Sequence, residues 1–287
     1  MNMNASIIET VERFELSHQG RDRPHSISVY RPSHVDEDVK LPIVFVTDAD
    51  MVFGTAAELM GVQSISQVLK PALIVGIGYG TDVVTTSSLR FKDLTTPITV
   101  EAREDLPLLD AAIGDETGGA DGLLDFIVDV LTPEIVRRYP SADPDRRNLF
   151  GHSLGGLFTA HALLTRPGAF EGYIIGSPSL FWNRFAVLEH VDAFAKALPN
   201  LRNKPRVFIG VGGTEEDVPK EAPAGFAITV EQLQHTLSYV RVIAAAREFA
   251  DSLKRGLPDV EFRVFEGEGH QQVVPYVLNS GLRHVLK

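Results

Sequence analysis

The sequence contains no cysteine. Disulfides, thiolate nucleophiles and cysteine-based zinc or iron–sulfur sites are therefore excluded. Long apolar runs are missing too: no stretch approaches the roughly 18 consecutive apolar residues of a membrane span. Positive charge is in short supply, with a formal net charge of −11. The basic pairs Arg137-Arg138 and Arg146-Arg147 sit beside acidic residues and read as solvated element ends. A nucleic-acid partner, which needs a basic face, is not expected. The opening stretch MNMNASIIETVERFEL has neither a basic n-region nor an apolar run of signal-peptide length. The expectation is a soluble, cytoplasmic protein with no membrane partner. Repeats, low-complexity tracts and Ser/Gly linkers are absent as well, which favours one domain over residues 1–287.

What is present suits a large core. Hydrophobic residues make up 44% of the 287-residue chain and charged residues 23%. Short, nearly continuous apolar runs occur at Leu41–Asp48, Ala72–Tyr79, Arg147–Ser153, Gly172–Pro178, Arg206–Gly212 and Val260–Gly267. Runs of this kind fit strands buried on both faces of a parallel sheet. Helical spacing lies between them, as in Leu123, Phe126, Ile127, Val130, Leu131, Ile135 and again in Val242, Ala245, Ala246, Phe249, Leu253. Alternating strands and helices predict an α/β fold with a mostly parallel central sheet and helices on both faces. By contrast, VERFELSHQG and HSISVYRPS alternate apolar with polar residues around a glycine turn, so an antiparallel hairpin is expected at the sheet edge. Two stretches, about residues 80–120 and 212–232, show no periodicity and read as long loops at the carboxyl ends of strands, where open α/β folds bind ligands.

The stretch RRNLFGHSLGGLFTAH contains Gly151-His152-Ser153-Leu154-Gly155, a match to G-x-S-x-G. In that motif the serine sits on a tight strand-to-helix turn, and the flanking glycines let helix and strand approach closely. The context fits: an apolar strand (Asn148–Gly151) precedes Ser153, and a helix-compatible run (Leu154–Thr165) follows. Ser153 is read as a nucleophile at a helix N-terminus, where free N–H groups favour developing negative charge.

A serine hydroxyl needs a base, and the base needs an orienting acid. In α/β-hydrolases the chain order is serine, acid, histidine. Of the histidines after the elbow helix, His270 lies in FEGEGHQQVV, directly after the last apolar strand, and is read as the base. His284, near the end of the C-terminal helix, is read as a surface residue. The acid is expected in GVGGTEEDVPK, which offers Glu215, Glu216 and Asp217; spacing does not separate them. An oxyanion site needs two backbone N–H groups. Leu154 supplies one, and the loop DADMVFG supplies the other, at Ala49 or Asp50. The carboxylates of Asp48 and Asp50 have no clustered third ligand, so neither a metal nor any other cofactor is expected.

RRNLFGHSLGGLFTAHALLTRPGAFEGYIIGSPSLFWN resembles the putative-esterase family of α/β-hydrolases, which includes esterase D-like enzymes and enterobactin-type siderophore esterases. The resemblance extends over most of the chain, from LPIVFVTDADMVFG through IVGIGYGTDVVTTSSLRFKDLTTP to FEGEGHQQVVPYVLNSGLRHVL. It implies the α/β-hydrolase fold and a serine esterase acting on a small-molecule ester, with Ser153 as nucleophile and His270 as base. The family's Gly-x-x-Glu falls on Gly212 to Glu215, which favours Glu215. The siderophore-type relatives place an arginine near the substrate, and the match to R-x-x-D-L-T-P puts Arg90 there; the alternative is an Arg90–Asp93 pair that fixes the loop. Trp182, the one tryptophan, lines the substrate pocket or packs as a core aromatic. DLTTP carries an insertion relative to the family pattern. The long apolar stretch after the acid reads as a cap or lid over about residues 212–240, with Phe226, Ile228, Val230 and Leu233 as its wall. A siderophore trilactone esterase, an acyltransferase and a non-catalytic binding protein on the same scaffold are the alternatives to a general carboxylic esterase.

Overall fold

The computed structural model describes residues 11–17, 23–107, 113, 116–221 and 229–287. Phe226 and Ile228 of the expected lid wall lie outside the described residues. Eight strands among the described residues form one sheet: β1 (Glu12–Leu16), β2 (His25–Tyr30), β3 (Leu41–Thr47), β4 (Leu73–Gly78), β5 (Ala142–His152), β6 (Gly172–Gly176), β7 (Arg206–Gly212) and β8 (Val260–Phe265). Their spatial order is β1-β2-β4-β3-β5-β6-β7-β8. The hairpin strands β1 and β2 run antiparallel, β2 against β4, and the remaining neighbours are parallel. This is the α/β-hydrolase arrangement expected from the sequence.

Period-two alternation divides the strand residues between two cores. Ile43, Phe45, Leu73, Val75 and Leu149 point to one face. Val44, Val46, Ile74 and Phe150 point to the other. The second face is covered by α1 (Ala49–Ile65) and by the C-terminal α11 (Val274–Val285) through Phe53, Met60, Val277 and Leu282. The first face carries α2 (Val83–Leu94), the helical stretch of α4 (Ala120–Asp125) and α5 (Thr132–Arg138), then α6 (Leu154–Thr165), α8 (Val191–Ala197) and α10 (Val242–Lys254). Shorter pieces complete the set: α3 (Val100–Glu104), the irregular turn α7 (Trp182–Phe185) and α9 (Val230–Val240). Between α4 and α5 the residues Phe126–Leu131 form a π-helical turn, so one continuous rod runs from residue 120 to 138. No helix among the described residues is long and apolar enough to cross a membrane.

Two local expectations are corrected. Residues 80–120 are not a plain loop. Asp82 caps α2 by accepting from Thr85 N at 3.0 Å, and Thr99 caps α3 by accepting from Ala102 N at 3.2 Å. Helix α2 buries chiefly Phe91 and Leu94, with polar Thr86 and Asp93 beside them, so its apolar stripe is too sparse to register as a period. His284 is buried, because α11 lies flat on the sheet; its ring nitrogens stand 3.2 Å from Asp259 and 3.2 Å from Glu261.

Candidate active site

Strand β5 ends at His152, and α6 begins at Leu154; Ser153 makes the whole turn. Its backbone sits at φ 59°, ψ −115°, a conformation few non-glycine residues adopt. Its N–H donates to Gly176 O at 2.9 Å, and its carbonyl accepts from Leu157 and Ser179 N–H groups. The glycines are required by close approach. A Cβ on Gly151 would overlap Gly155 O, one on Gly155 would overlap Thr47 Oγ1, and one on Gly156 would stand 2.6 Å from Gly176 O. The elbow is thus clamped between the ends of β3 and β6.

Glu215 follows β7 at the turn Gly212–Asp217, and its side chain is 2% exposed. One oxygen accepts from Ser177 Oγ at 2.5 Å and from Gly212 N at 2.5 Å. The other meets His270 Nδ1 at 2.6 Å. The two loops are stitched together, since Thr214 donates from both N and Oγ1 to Glu268 O at 3.1 and 2.9 Å. Of the three candidate acids, then, Glu215 is the one that meets His270. Glu216 faces elsewhere: its Oε1 accepts from Ile243 and Ala244 N–H at 2.8 and 3.0 Å and caps α10. Asp217 is exposed.

Ser153, His270 and Arg90 open on one cavity of about 310 Å³, whose other walls include Leu154, Phe91, Phe181, Trp182 and Leu237. The lining is apolar and aromatic, with a few polar groups converging at the serine, the usual character of a small-molecule site. Trp182 is 1% exposed, donates Nε1 to Thr96 O at 2.8 Å, packs with its ring tilted 34° at 5.8 Å from that of Phe91, and borders the cavity. Val230 and Leu233 are half-buried on α9.

The arginine is not paired as the loop-fixing alternative had it. Arg90 forms a fork on Asp48, Nε to Oδ1 at 2.6 Å and Nη2 to Oδ2 at 3.0 Å, and not on Asp93. Burial opposes the charge on Arg90, but Asp48 outweighs it and raises the guanidinium pKa further. Asp50 turns the other way. Its carboxylate accepts from Tyr79 and Gly80 N–H groups, and with Ala49 it borders a separate cavity against Arg13, Ser26 and Ser28. The Ala49 and Asp50 N–H groups belong to the first turn of α1, which follows Asp48.

Sequence reasoning passed over three residues. Ser177 orients Glu215, and Ser179 places its Oγ 3.5 Å from Ser153 Oγ. Both stand in GSPSL, where a polar pair directly after a buried strand was a usable signal. His152 is buried with its ring 4.7 Å from that of His270, at 44°. Burial, then the charges of His270 and Arg90, push its pKa down to about 3, so it stays neutral. Among the described residues no cluster of three metal-ligating side chains occurs.

Comparison with known proteins identifies the family. The family model described as "Putative esterase" matches residues 19–271. Ferri-bacillibactin esterase BesA of Bacillus subtilis is 35% identical over 99% of this chain and 92% of its own length. The siderophore triacetylfusarinine C esterase of Aspergillus fumigatus is 30% identical over 94% and 91%. Among solved structures, the BES protein of Bacillus cereus superposes with a TM-score of 0.79 at 27% identity, covering 100% of this chain and 98% of that one. On the matched length and these identities, the chain belongs to the putative-esterase family and is an ester hydrolase.

Proposed function

We propose that the chain cleaves its ester through an acyl-enzyme on Ser153. His270 takes the Ser153 proton as Oγ attacks the carbonyl carbon, and Glu215, already bonded to Nδ1, stabilises the imidazolium. The tetrahedral oxyanion accepts from the Leu154 N–H and from a first-turn N–H of α1, at Ala49 or Asp50. His270 then returns its proton to the departing alcohol. In the second half, water loses a proton to His270, attacks the acyl carbon, and releases the acid with Ser153 restored. The observation that carries this reading is the 2.6 Å contact of His270 with a buried Glu215, on a cavity shared with Ser153.

Two relatives of 30% identity or more carry names that make them esterases of siderophores. The aromatic wall of Phe91, Phe181 and Trp182 suits the flat aryl groups of a catecholate siderophore. We therefore take a siderophore ester as the substrate class. Residues of about 212–240 act as a lid in the same proposal: α9 presents Thr236, Leu237 and Val240 to the cavity and meets α10 at Arg241, whose φ is 44°. A cytoplasmic location belongs to this proposal.

The test is hydrolysis of an ester panel that includes simple aryl esters and a ferric siderophore lactone, with product release followed by chromatography. The lactone is expected to be cleaved with the higher kcat/KM, and a fluorophosphonate probe should label the chain but not Ser153→Ala. Retention of more than a few per cent of activity by Ser153→Ala overturns the mechanism, whereas cleavage of simple esters alone overturns only the substrate class.

A further inference from the structure

The parallel pairing of β3 with β5 sets Val46 opposite Phe150. The residues that leave these strands, Thr47–Asp48 and Gly151–Ser153, therefore emerge side by side, at the point where the sheet order reverses. A Cβ on Gly155 would stand 3.2 Å from Asp48 Oδ2, so the Asp48 carboxylate lies against the first turn of α6. The backbone of Asp48 is left-handed, at φ 55°, ψ 40°. Its carbonyl takes the N–H groups of Met51 and Val52 at 2.9 and 3.2 Å. Ala49 and Asp50 are thereby left as the leading donors of α1, with no place in the helix ladder. The direction in which the Ala49 N–H points is set by ψ of Asp48.

Arg90 holds that residue. Its fork occupies both carboxylate oxygens of Asp48, whose side chain is 4% exposed, and it reaches there from α2, 42 residues on in the chain. Asp48, Arg90, Thr47, Met51 and His152 line a small chamber of about 90 Å³ that Ser153 also borders. A guanidinium committed to one carboxylate forms a neutral unit and offers little net charge to a ligand.

We propose that Arg90 is a positioning residue for the oxyanion site and not a charge receptor for the substrate: it locks Asp48 in its left-handed conformation and so aims the Ala49 N–H at the chamber beside Ser153. This rests on Ser153 being the nucleophile. A donor that must meet charge appearing only in the transition state acts on kcat when it swings away, whereas a group that holds the ground-state substrate acts on KM.

Two esters of one acid, one with a neutral alcohol and one with a carboxylate on the alcohol, separate the two roles. For Arg90→Met, Arg90→Lys and Asp48→Asn, kcat should fall about 10- to 100-fold on both esters alike, less than the roughly 100- to 1000-fold of losing a donor outright. KM should stay within about threefold of its unaltered value. Lysine, with a single point of contact, should rescue only part of the loss. Fluorophosphonate labelling should slow by a similar factor, and the Arg90→Met/Asp48→Asn double variant should be no slower than either single one. A rise in KM confined to the anionic ester, with kcat intact, overturns the proposal in favour of a substrate receptor. Unchanged kcat on both esters with a lowered Tm reduces Arg90 to a structural clasp and overturns it too. Should Arg90→Met not fold, Arg90→Lys and Asp48→Asn preserve the side-chain volume of the pair and decide the question. Full activity in Ser153→Ala is the separate signature that the underlying mechanism, and this proposal with it, is wrong.

Discussion

Two carboxylates are buried at the carboxyl ends of parallel strands, Asp48 after β3 and Glu215 after β7, on opposite sides of Ser153. Burial of either charge is unfavourable unless it is fully bonded. Asp48 is satisfied by a permanent cation, the fork of Arg90. Glu215 is satisfied by a hydroxyl, a backbone N–H and an imidazole. The partner decides what each acid can do. Bonded to arginine, a carboxylate holds geometry and moves no proton. Bonded to histidine, it orients the ring that the proposed mechanism uses as the base for Ser153.

That contrast is most sharply probed at the Glu215 arm. His270→Ala should lower kcat by about a millionfold, the loss typical of a triad base, with Tm little changed because His270 is 36% exposed. Stopped assays and a thermal scan check both halves. A loss below about a hundredfold would place the base elsewhere.

Next in size, Glu215→Gln should cost about 10⁴-fold in kcat by upsetting the histidine's tautomer. Its sequence neighbour should behave differently: Glu216→Gln should leave kcat within a few-fold and lower stability by about 1 kcal/mol through the weakened α10 cap. Equal kinetic losses in the two variants would erase the distinction between the acids.

A pH scan tests the neutral ring between the two arms. His152 has a folded pKa of about 3 against an ordinary 6.5. Above pH 6.5 both folded and unfolded chains leave it neutral, and its full contribution is present. Between pH 6.5 and 3 the unfolded chain binds a proton that the folded chain refuses, so stability falls with pH by up to about 1.4 kcal/mol per unit. Denaturant titrations of His152→Phe should show a shallower loss from pH 6.5 to 4 than the unaltered chain; parallel curves would mean that His152 is not kept neutral. His284, also depressed by burial, is present in both proteins and cancels.

The smallest effect belongs to the pocket wall. Trp182→Phe keeps an aromatic body but loses the Nε1–H bond to Thr96 O, at a cost of about 1 kcal/mol by chemical denaturation. Its kinetic effect should be confined to KM for aryl substrates.

Much of the molecule was legible before any coordinates. The apolar runs predicted the buried strands because a strand covered on both faces has no polar side to show. The elbow was readable because a strand-to-helix turn this tight leaves room for glycine alone at Gly151 and Gly155. His270 followed from chain order. Helix α2 was missed because its buried face is short and partly polar, and spacing did not separate Glu215, Glu216 and Asp217, because consecutive residues on a turn point in different directions without any periodic rule; only the family resemblance favoured Glu215.

By itself the sequence determined the elements that depend on local composition and spacing: the strands, the elbow serine, the histidine loop and the acid cluster. Tertiary structure decided that Glu215, which the family resemblance favoured and spacing did not single out, meets His270, that Glu216 caps a helix, and that Arg90 closes on Asp48 and not on nearby Asp93. The physical reason is the same in each case. Hydrogen-bond partners are chosen by where strand ends converge in space, and two residues 42 or 55 positions apart become neighbours only when the sheet order brings their loops together.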